Sequence, residues 1–156
     1  MESDTLILLD LDDSLIYQTG PGKFIYRQGL YEFLNHCLCT YHVGIFTSKV
    51  KKNVDLILNK MISYKQRKLL RYELSREYTL PDPDPIHEWD TIKNLNFIDK
   101  CFNLRKIYKK IIIIDNDPRK LRFNLEENIL ICESFKIGEH PGILKKLQQQ
   151  IKDKIK

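Results

Sequence analysis

This 156-residue sequence has few of the features that mark secreted, membrane-spanning or disulfide-bonded proteins. Its longest unbroken aliphatic runs are four residues, at 6–9 and 111–114, whereas a membrane helix needs about 20. Met1 is followed by an acidic start rather than by the basic and apolar regions of a secretory signal. We therefore expect an intracellular protein, in the nucleus or the cytoplasm, with no membrane partner.

Cysteine is scarce, with four residues too scattered for a disulfide framework, so free thiols are expected. The stretch HCLCTYH at 36–42 holds two of them beside two histidines. A zinc site is one interpretation of this stretch. Cys-x-Cys is not the usual knuckle spacing, however, and the stretch falls where a helix should pass into a strand, which argues against zinc.

The remaining composition is that of an ordinary globular protein, with 42% hydrophobic and 30% charged residues. Because this supplies enough apolar residues for one core, residues 1–156 are predicted to form a single domain. The net charge of +5 favours acidic partners without requiring nucleic acid. The basic residues are dispersed and accompany no zinc-finger, RNA-recognition or Gly-rich phosphate-loop pattern, so most are expected on a solvated surface.

Five short β-rich runs alternate with segments that carry apolar residues at helical spacing. Three runs (LILL, IIII and ILI) lack alternation, as strands do when both faces are covered, and this order predicts βαβ units and a parallel sheet. The predicted strands are 5–9, 42–47, 69–74, 110–115 and 128–134. The predicted helices are 30–38, 50–61, 96–107 and 140–155, the second with Thr47 or Ser48 as N-cap.

Residues 78–91, YTLPDPDPIHEWDT, depart from this pattern. Proline at positions 81, 83 and 85 forbids a helix and favours an extended loop. The segment is either a plain connector or an element at the rim of a site. The only tryptophan, Trp89, motivates the second interpretation, and both remain open.

Carboxylates directly follow two of the aliphatic runs. Asp10 and Asp12 follow the first strand, and Asp115, Asn116 and Asp117 follow the fourth. In an open parallel sheet, sites form outside the carboxyl ends of the strands. Neighbouring carboxylates ionise together only with a shared proton or a bound cation, and oxygen ligands without clustered His or Cys suit Mg²⁺. A solvated Asp-rich turn is the alternative.

A third predicted strand, in VGIFTSK, ends in the hydroxyls of Thr47 and Ser48 at the expected start of a helix. Hydroxyls and free helix N–H groups together make an anion site. Carboxylates, a divalent cation and an anion pocket at one edge of a sheet indicate phosphoryl transfer.

The sequence resembles the haloacid dehalogenase-type (HAD) phosphatases. Among them it is most similar to the FCP/SCP group, the catalytic domain shared by RNA polymerase II C-terminal-domain phosphatases and small phosphatases. The stretches that match the group's motifs are, in order, DLDDSL (10–15), RQGLYEFL (27–34), FTSK (46–49), LSRE (74–77), KNL (93–95), DNDP (115–118) and EENI (126–129). Each match is weak alone, but the ordered set is specific. The resemblance implies a Rossmann-like α/β fold with a parallel sheet of about five strands flanked by helices and a short cap.

The resemblance also implies a mechanism. Asp10 would attack the phosphorus of a phosphoserine or phosphothreonine, and Asp12 would protonate the leaving hydroxyl and then activate water. Mg²⁺ would be held by the Asp10 carboxylate, the Asp12 backbone carbonyl and Asn116. Asp115, together with Ser14 in place of the group's Thr, would support these groups from behind.

Thr47 and Lys93 would bind the phosphate oxygens, with Ser48 and Arg76 as further substrate contacts. Structural alternatives remain open for three of them. Lys93 fits an ordinary exposed lysine, Arg76 a surface ion pair or a brace, and Thr47 a helix cap.

The segment after Ser14 departs from the small phosphatases. Only about a dozen residues separate it from Arg27, where those enzymes carry a longer insertion that helps to form an apolar pocket for a proline of the polymerase tail. Tyr17, Phe24 and Tyr26 can supply a reduced aromatic wall. The polymerase tail is therefore a candidate substrate rather than an implied one.

Three functions follow from these observations. The leading hypothesis is a Mg²⁺-dependent phosphatase of phosphoserine or phosphothreonine proteins. A phosphatase of nucleotide or polynucleotide phosphate ends is the second, motivated by the basic segments, and a non-catalytic peptide-binding member of the family is the third. Because Asp10, Asp12, Lys93 and Asn116 are all present, an enzyme is favoured.

Overall fold

A central five-stranded parallel sheet organises the computed structural model, which describes residues 3–156. The strands are β1 (Thr5–Leu9), β2 (Ile16–Gly20), β3 (Lys23–Tyr26), β4 (His42–Phe46), β5 (Leu70–Leu74), β6 (Leu80–Pro81), β7 (Thr91–Ile92), β8 (Lys110–Asp115) and β9 (Ile129–Ile131). The helices are α1 (Leu30–Thr40), α2 (Lys51–Met61), α3 (Tyr64–Leu69), α4 (Leu95–Phe102), α5 (Leu104–Ile107), α6 (Pro118–Leu121) and α7 (Ile143–Ile155). The sheet order β5-β4-β1-β8-β9 confirms the predicted parallel sheet.

Strand β1 lies at the centre of the sheet, and all five of its residues are buried. Ile7 and Leu9 pack on one face with residues of α1, α2 and α7, whereas Leu6 and Leu8 pack on the other with residues of α4 and β8. Side chains alternate between the two faces of a strand, so covering both faces requires an unbroken apolar run. This packing explains why LILL shows no alternation.

Glycine is required where β4 passes between its neighbours. A Cβ at Gly44 would lie 2.8 Å from Leu8 Cδ2 and 3.0 Å from Tyr72 Cβ. We expect Gly44→Ala to lower the free energy of unfolding by about 1–3 kcal/mol, because packed neighbours must shift to admit the methyl group. Urea denaturation followed by circular dichroism measures the change. Gly20→Ala, whose added Cβ meets nothing within 4 Å, is the control, and an equal loss in both variants would contradict the explanation.

Two predicted helices differ from the observed ones. The predicted helix 96–107 is divided into α4 and α5, because Asn103 between them adopts a left-handed conformation with φ 55°. Asparagine enters this region more readily than most residues. The predicted helix 140–155 begins only at Ile143. His140 precedes Pro141, and a residue before proline is disfavoured in the helical region.

The predicted cap of α2 is wrong. The N-cap residue is Val50, which makes no side-chain capping bond, rather than Thr47 or Ser48. The Thr47 hydroxyl instead accepts a hydrogen bond from the Lys49 backbone N–H at 3.2 Å. A short bend therefore separates the hydroxyls at the end of β4 from the helix.

The chain between Ser14 and Arg27 folds into an antiparallel hairpin, β2–β3, that was not predicted as strands. Its aromatic residues pack in edge-to-face pairs. The ring centroids of Tyr17 and Phe135 are 6.1 Å apart, and those of Phe24 and Tyr26 are 5.6 Å apart. The short insertion is therefore a compact aromatic hairpin beside α2.

The residues of HCLCTYH have separate environments. Cys37 is buried in the core and Cys39 is exposed, whereas His42 Nδ1 lies 2.9 Å from the Tyr108 hydroxyl. All four cysteines are free thiols, as expected. Within residues 3–156, no helix combines the length and the apolarity that crossing a membrane would require.

Candidate active site

The predicted site residues meet at the carboxyl end of the central sheet. Strand β1 pairs with β4 on one side and with β8 on the other, which brings the three strand ends together. They enclose a small pocket of about 150 Å³. Its lining residues are Asp10, Asp12, Asp13, Thr47, Ser48, Asp115, Asn116, Asp117 and Lys120. Three predicted site residues, Ser14, Arg76 and Lys93, lie behind or beside this lining rather than in it.

Lys93 is a fully buried ammonium group between two carboxylates. Its Nζ donates to Asp10 Oδ1 at 2.9 Å and to Asp115 Oδ2 at 2.6 Å. The side chain has no exposed surface, so the alternative of an ordinary exposed lysine is wrong. These bonds use two of the three ammonium donors.

The ammonium of Lys93 faces two carboxylates, those of Asp10 and Asp115, so the three charges do not cancel. Burial raises the pKa of Asp10 to about 7; Lys93 opposes the shift and the negative charge of Asp115 adds to it. Burial lowers the pKa of Lys93, but the charges of Asp10 and Asp115 outweigh burial, so that pKa lies above its ordinary value. Lys93 is therefore protonated at neutral pH, and one carboxylate charge still requires a proton or a further cation.

Local hydrogen bonds fix both carboxylates. The Ser14 hydroxyl donates to Asp10 Oδ2 at 3.0 Å, and the Asp117 backbone N–H donates to Asp115 Oδ1 at 2.9 Å. Asp117 also accepts a bond from the Arg119 backbone N–H and so caps α6. The contact of Ser14 with Asp10 is consistent with the predicted supporting role, which remains a prediction.

The orientation of the Asn116 amide decides whether the oxygens around it can bind a metal ion. One terminal atom of this amide lies 3.1 Å from Asp10 Oδ2 and 3.2 Å from the Asp12 carbonyl oxygen, and the other lies 3.0 Å from Ser134 Oγ. With nitrogen in the first position, the amide donates to both oxygens. With oxygen there, it faces Asp10 Oδ2, the Asp12 carbonyl oxygen and Asp115 Oδ1, with the Ser14 hydroxyl as its donor at 3.4 Å. A cation can then bind among the Asn116, Asp10 and Asp12 oxygens.

These three oxygens are of the type that Mg²⁺ prefers, so the residues present fit that ion. No group of three or more His, Cys, Asp or Glu suited to a metal occurs in the described part of the chain. A magnesium site here would use the Asn116 amide and the Asp12 backbone carbonyl as well as Asp10, and this ligand set remains a prediction.

Asp12 has the more exposed carboxylate, with 39% of its side chain accessible. Its Oδ2 lies 3.1 Å from Lys49 Nζ, whereas its Oδ1 is buried and has no hydrogen-bond partner among the described residues. A buried acceptor without a donor is costly, and a bound hydroxyl or water molecule can satisfy it. Asp12 therefore lines the pocket with a partly accessible carboxylate, and its role in proton transfer remains a prediction.

Sequence reasoning missed two cations near the site. Lys49 stands where the FCP/SCP motif Phe-Thr-Ala-Ser has its serine, and this mismatch was the available signal. Lys120 lines the pocket and donates to the Thr91 carbonyl at 3.1 Å. No sequence signal separates Lys120 from the other dispersed basic residues.

The proline-rich segment is attached to the rim of the site. Arg76 donates to the Ser48 carbonyl at 3.3 Å and to the Trp89 carbonyl at 2.7 Å. The Thr91 hydroxyl donates to Ser48 Oγ at 3.1 Å. These bonds favour the rim interpretation of residues 78–91 and a bracing role for Arg76, whose direct contact with phosphate stays a prediction.

Known phosphatases resemble this chain in sequence or in fold. The sequence model of the NLI interacting factor-like phosphatase family matches residues 5–156. A solved structure of a variant of the fission yeast RNA polymerase II CTD phosphatase Fcp1, bound to beryllium fluoride, is 16% identical with a TM-score of 0.58 and covers 96% of this chain. A second structure, of Fcp1 as an essential RNA polymerase II CTD phosphatase, is 18% identical with a TM-score of 0.58 and the same coverage.

The chain spans 49% and 47% of the lengths of these two solved chains. At these identities the likeness establishes the fold, which is the HAD-like α/β arrangement of a parallel sheet between helices.

Proposed function

Because this chain belongs to the NLI interacting factor-like phosphatase family, we propose that it is a Mg²⁺-dependent protein serine/threonine phosphatase with Asp10 as its nucleophile. One arrangement carries the proposal. Asp10 lies at the end of the central strand, held by Lys93 and Ser14, beside an Asp12 carboxylate with an unpartnered oxygen. Residues 1–156 are proposed to form one catalytic domain.

The proposed reaction has two displacement steps. An oxygen of Asp10 forms a bond to phosphorus while the bond from phosphorus to the serine or threonine oxygen breaks. Asp12, protonated at this stage, gives its proton to the leaving oxygen. It then accepts a proton from the water molecule that attacks the aspartyl-phosphate, which releases phosphate and restores Asp10.

The phosphate group is proposed to lie in the pocket against several fixed donors. Thr47 and Ser48 line the pocket and contribute hydroxyls. Lys93, which lies behind the lining and holds Asp10, is proposed to contribute its third N–H. Mg²⁺, when bound by Asp10, the Asp12 carbonyl and Asn116, would neutralise charge on the phosphoryl oxygens. Because the fold already holds these donors in place, little reorganisation accompanies the development of charge.

Removal of the metal provides the first test. We expect EDTA to lower hydrolysis of p-nitrophenyl phosphate by at least about 100-fold, because the crowded carboxylates then lack their compensating charge. Excess Mg²⁺ should restore the rate, and Ca²⁺, which prefers more ligands at longer distances, should restore much less. Phosphate release is the measurement. Turnover that resists EDTA would contradict the metal requirement.

The substrate class requires a separate comparison. Polymerase-tail repeat peptides phosphorylated at each serine in turn would be compared with phosphorylated oligonucleotides by kcat/KM. Faster turnover of the peptides supports the proposal, with the tail as a candidate substrate, and faster turnover of the oligonucleotides assigns the enzyme to phosphate ends of nucleic acid. No release from any of them by folded protein would favour a peptide-binding member of the family.

A further inference from the structure

A cavity of about 640 Å³ lies between the β2–β3 hairpin and α2, and is larger than the pocket that holds the carboxylates. Helix α2 contributes Asn53, Leu56, Ile57 and Lys60, whose spacing places them on one face of the helix. The hairpin contributes the opposite wall. Its lining residues are Ile16, Gln18, Thr19, Gly20, Pro21, Gly22 and Phe24.

Lys49 connects this cavity to the candidate active site. Its side chain lines the cavity, while its Nζ lies 3.1 Å from Asp12 Oδ2 and 2.8 Å from Gln18 Oε1. A peptide whose phosphate lies at Asp10 places its leaving oxygen beside Asp12. The residues that flank the phosphorylated one therefore lie within reach of the cavity.

The cavity has a positive wall and an apolar floor. Among the described residues, Lys49 and Lys60 are the charged side chains that line it, and no carboxylate does so. Lys60 Nζ lies 3.3 Å from the Gly22 carbonyl oxygen and 5.9 Å from the centroid of the Phe24 ring, and it forms no ion pair with a described residue. Phe24 and Ile57 supply apolar surface below these ammonium groups.

We infer that this cavity binds an anionic side chain, a carboxylate or a second phosphate, on a residue that flanks the phosphoserine or phosphothreonine of the substrate. The inference rests on the proposed function and adds a sequence preference to it. The apolar floor accommodates the stem of the flanking side chain, and Lys60 pairs with its charged end. Proline would contact the floor but leave Lys60 without a counter-charge.

Peptide binding tests this inference independently of turnover. The probes are fluorescent peptides in which a methylene group replaces the bridging oxygen of phosphoserine, so that the phosphonate is not hydrolysed. Each of the three positions on either side carries glutamate, the same phosphonate analogue of phosphoserine, proline or lysine in turn. At one position, anisotropy titrations should show that peptides with glutamate or the phosphoserine analogue bind about three- to tenfold more tightly than the peptide with proline. The peptide with lysine should bind most weakly.

Two variants with the same change of charge locate the effect. Lys60→Gln should bring the glutamate, phosphoserine and proline peptides to similar affinities. Lys145→Gln, on an exposed position of α7 outside the cavity, should leave the preference unchanged. An anionic preference that survives in Lys60→Gln, or a preference for proline over glutamate in the unaltered protein, would overturn the inference.

Hydrolysis of p-nitrophenyl phosphate separates this inference from the proposed function. The substrate is too small to reach the cavity, so Lys60→Gln should hydrolyse it at the unaltered rate. Absence of hydrolysis by the unaltered protein would count against the phosphatase, whereas the peptide affinities would still decide the anionic preference.

Discussion

Asp10→Asn is expected to lower the rate of phosphate release by at least about a thousandfold while the protein stays folded. An amide of the same shape cannot serve as the attacking group, so no aspartyl-phosphate forms. Phosphate release from p-nitrophenyl phosphate measures the effect, and circular dichroism and thermal unfolding establish that the variant is folded. Folding should survive because the change removes a charge from a buried group that carries an excess of negative charge.

Asp4→Asn is the matched control for this experiment. This variant makes the same acid-to-amide change at an exposed position before β1. Lys109, the ion-pair partner of Asp4, is also exposed. It should leave the rate within about twofold, since an exposed ion pair contributes little. Activity of Asp10→Asn within tenfold of the unaltered protein would exclude Asp10 as the nucleophile.

Lys93→Met is expected to lower the free energy of unfolding by about 3–5 kcal/mol and to remove activity. The ammonium of Lys93 lies between Asp10 and Asp115, and without it two like charges remain buried near each other. Urea denaturation measures the loss. The loss of unfolding free energy should become smaller as pH falls. Protonation of Asp10 or Asp115 then removes the repulsion between the two carboxylates.

Two further variants distinguish lost charge pairing from lost packing. Lys93→Met combined with Asp115→Asn should recover part of the unfolding free energy but none of the activity. Lys109→Met, which removes the exposed partner of Asp4, should cost less than about 1 kcal/mol. A Lys93→Met protein as stable as the unaltered one would show that the buried ion pairs contribute no net stability.

The arrangement of the central sheet was predictable because strand burial requires a pattern of apolar residues that is visible in the local sequence. A strand covered on both faces requires consecutive apolar residues, and LILL and IIII satisfy this requirement wherever the rest of the chain lies. The parallel order followed from strand–helix alternation. Placement of Asp10, Asp12, Asp115 and Asn116 at one edge then followed from topology, since the carboxyl ends of parallel strands meet there.

Local conformations were predicted less well where a single backbone choice decided them. Asn103 interrupts a continuous apolar pattern by adopting a left-handed conformation, so one predicted helix became two. The residues after Ser14 contain no strict alternation, and their pairing as a hairpin depends on contacts with α2 and with Phe135. Such outcomes are set by packing partners rather than by propensity.

The sequence by itself determined the fold class, the edge of the sheet at which a site forms, and the types of side chain gathered there. Only the tertiary structure decided the state of each charge. Lys93 became a buried cation because Asp10, 83 positions away, and Asp115, 22 positions away, both reach its Nζ. Lys49 likewise became the link between Asp12 and a second cavity. Local patterns record burial and strand direction, whereas the free energy of a charge depends on partners that only the folded chain brings within a few ångströms.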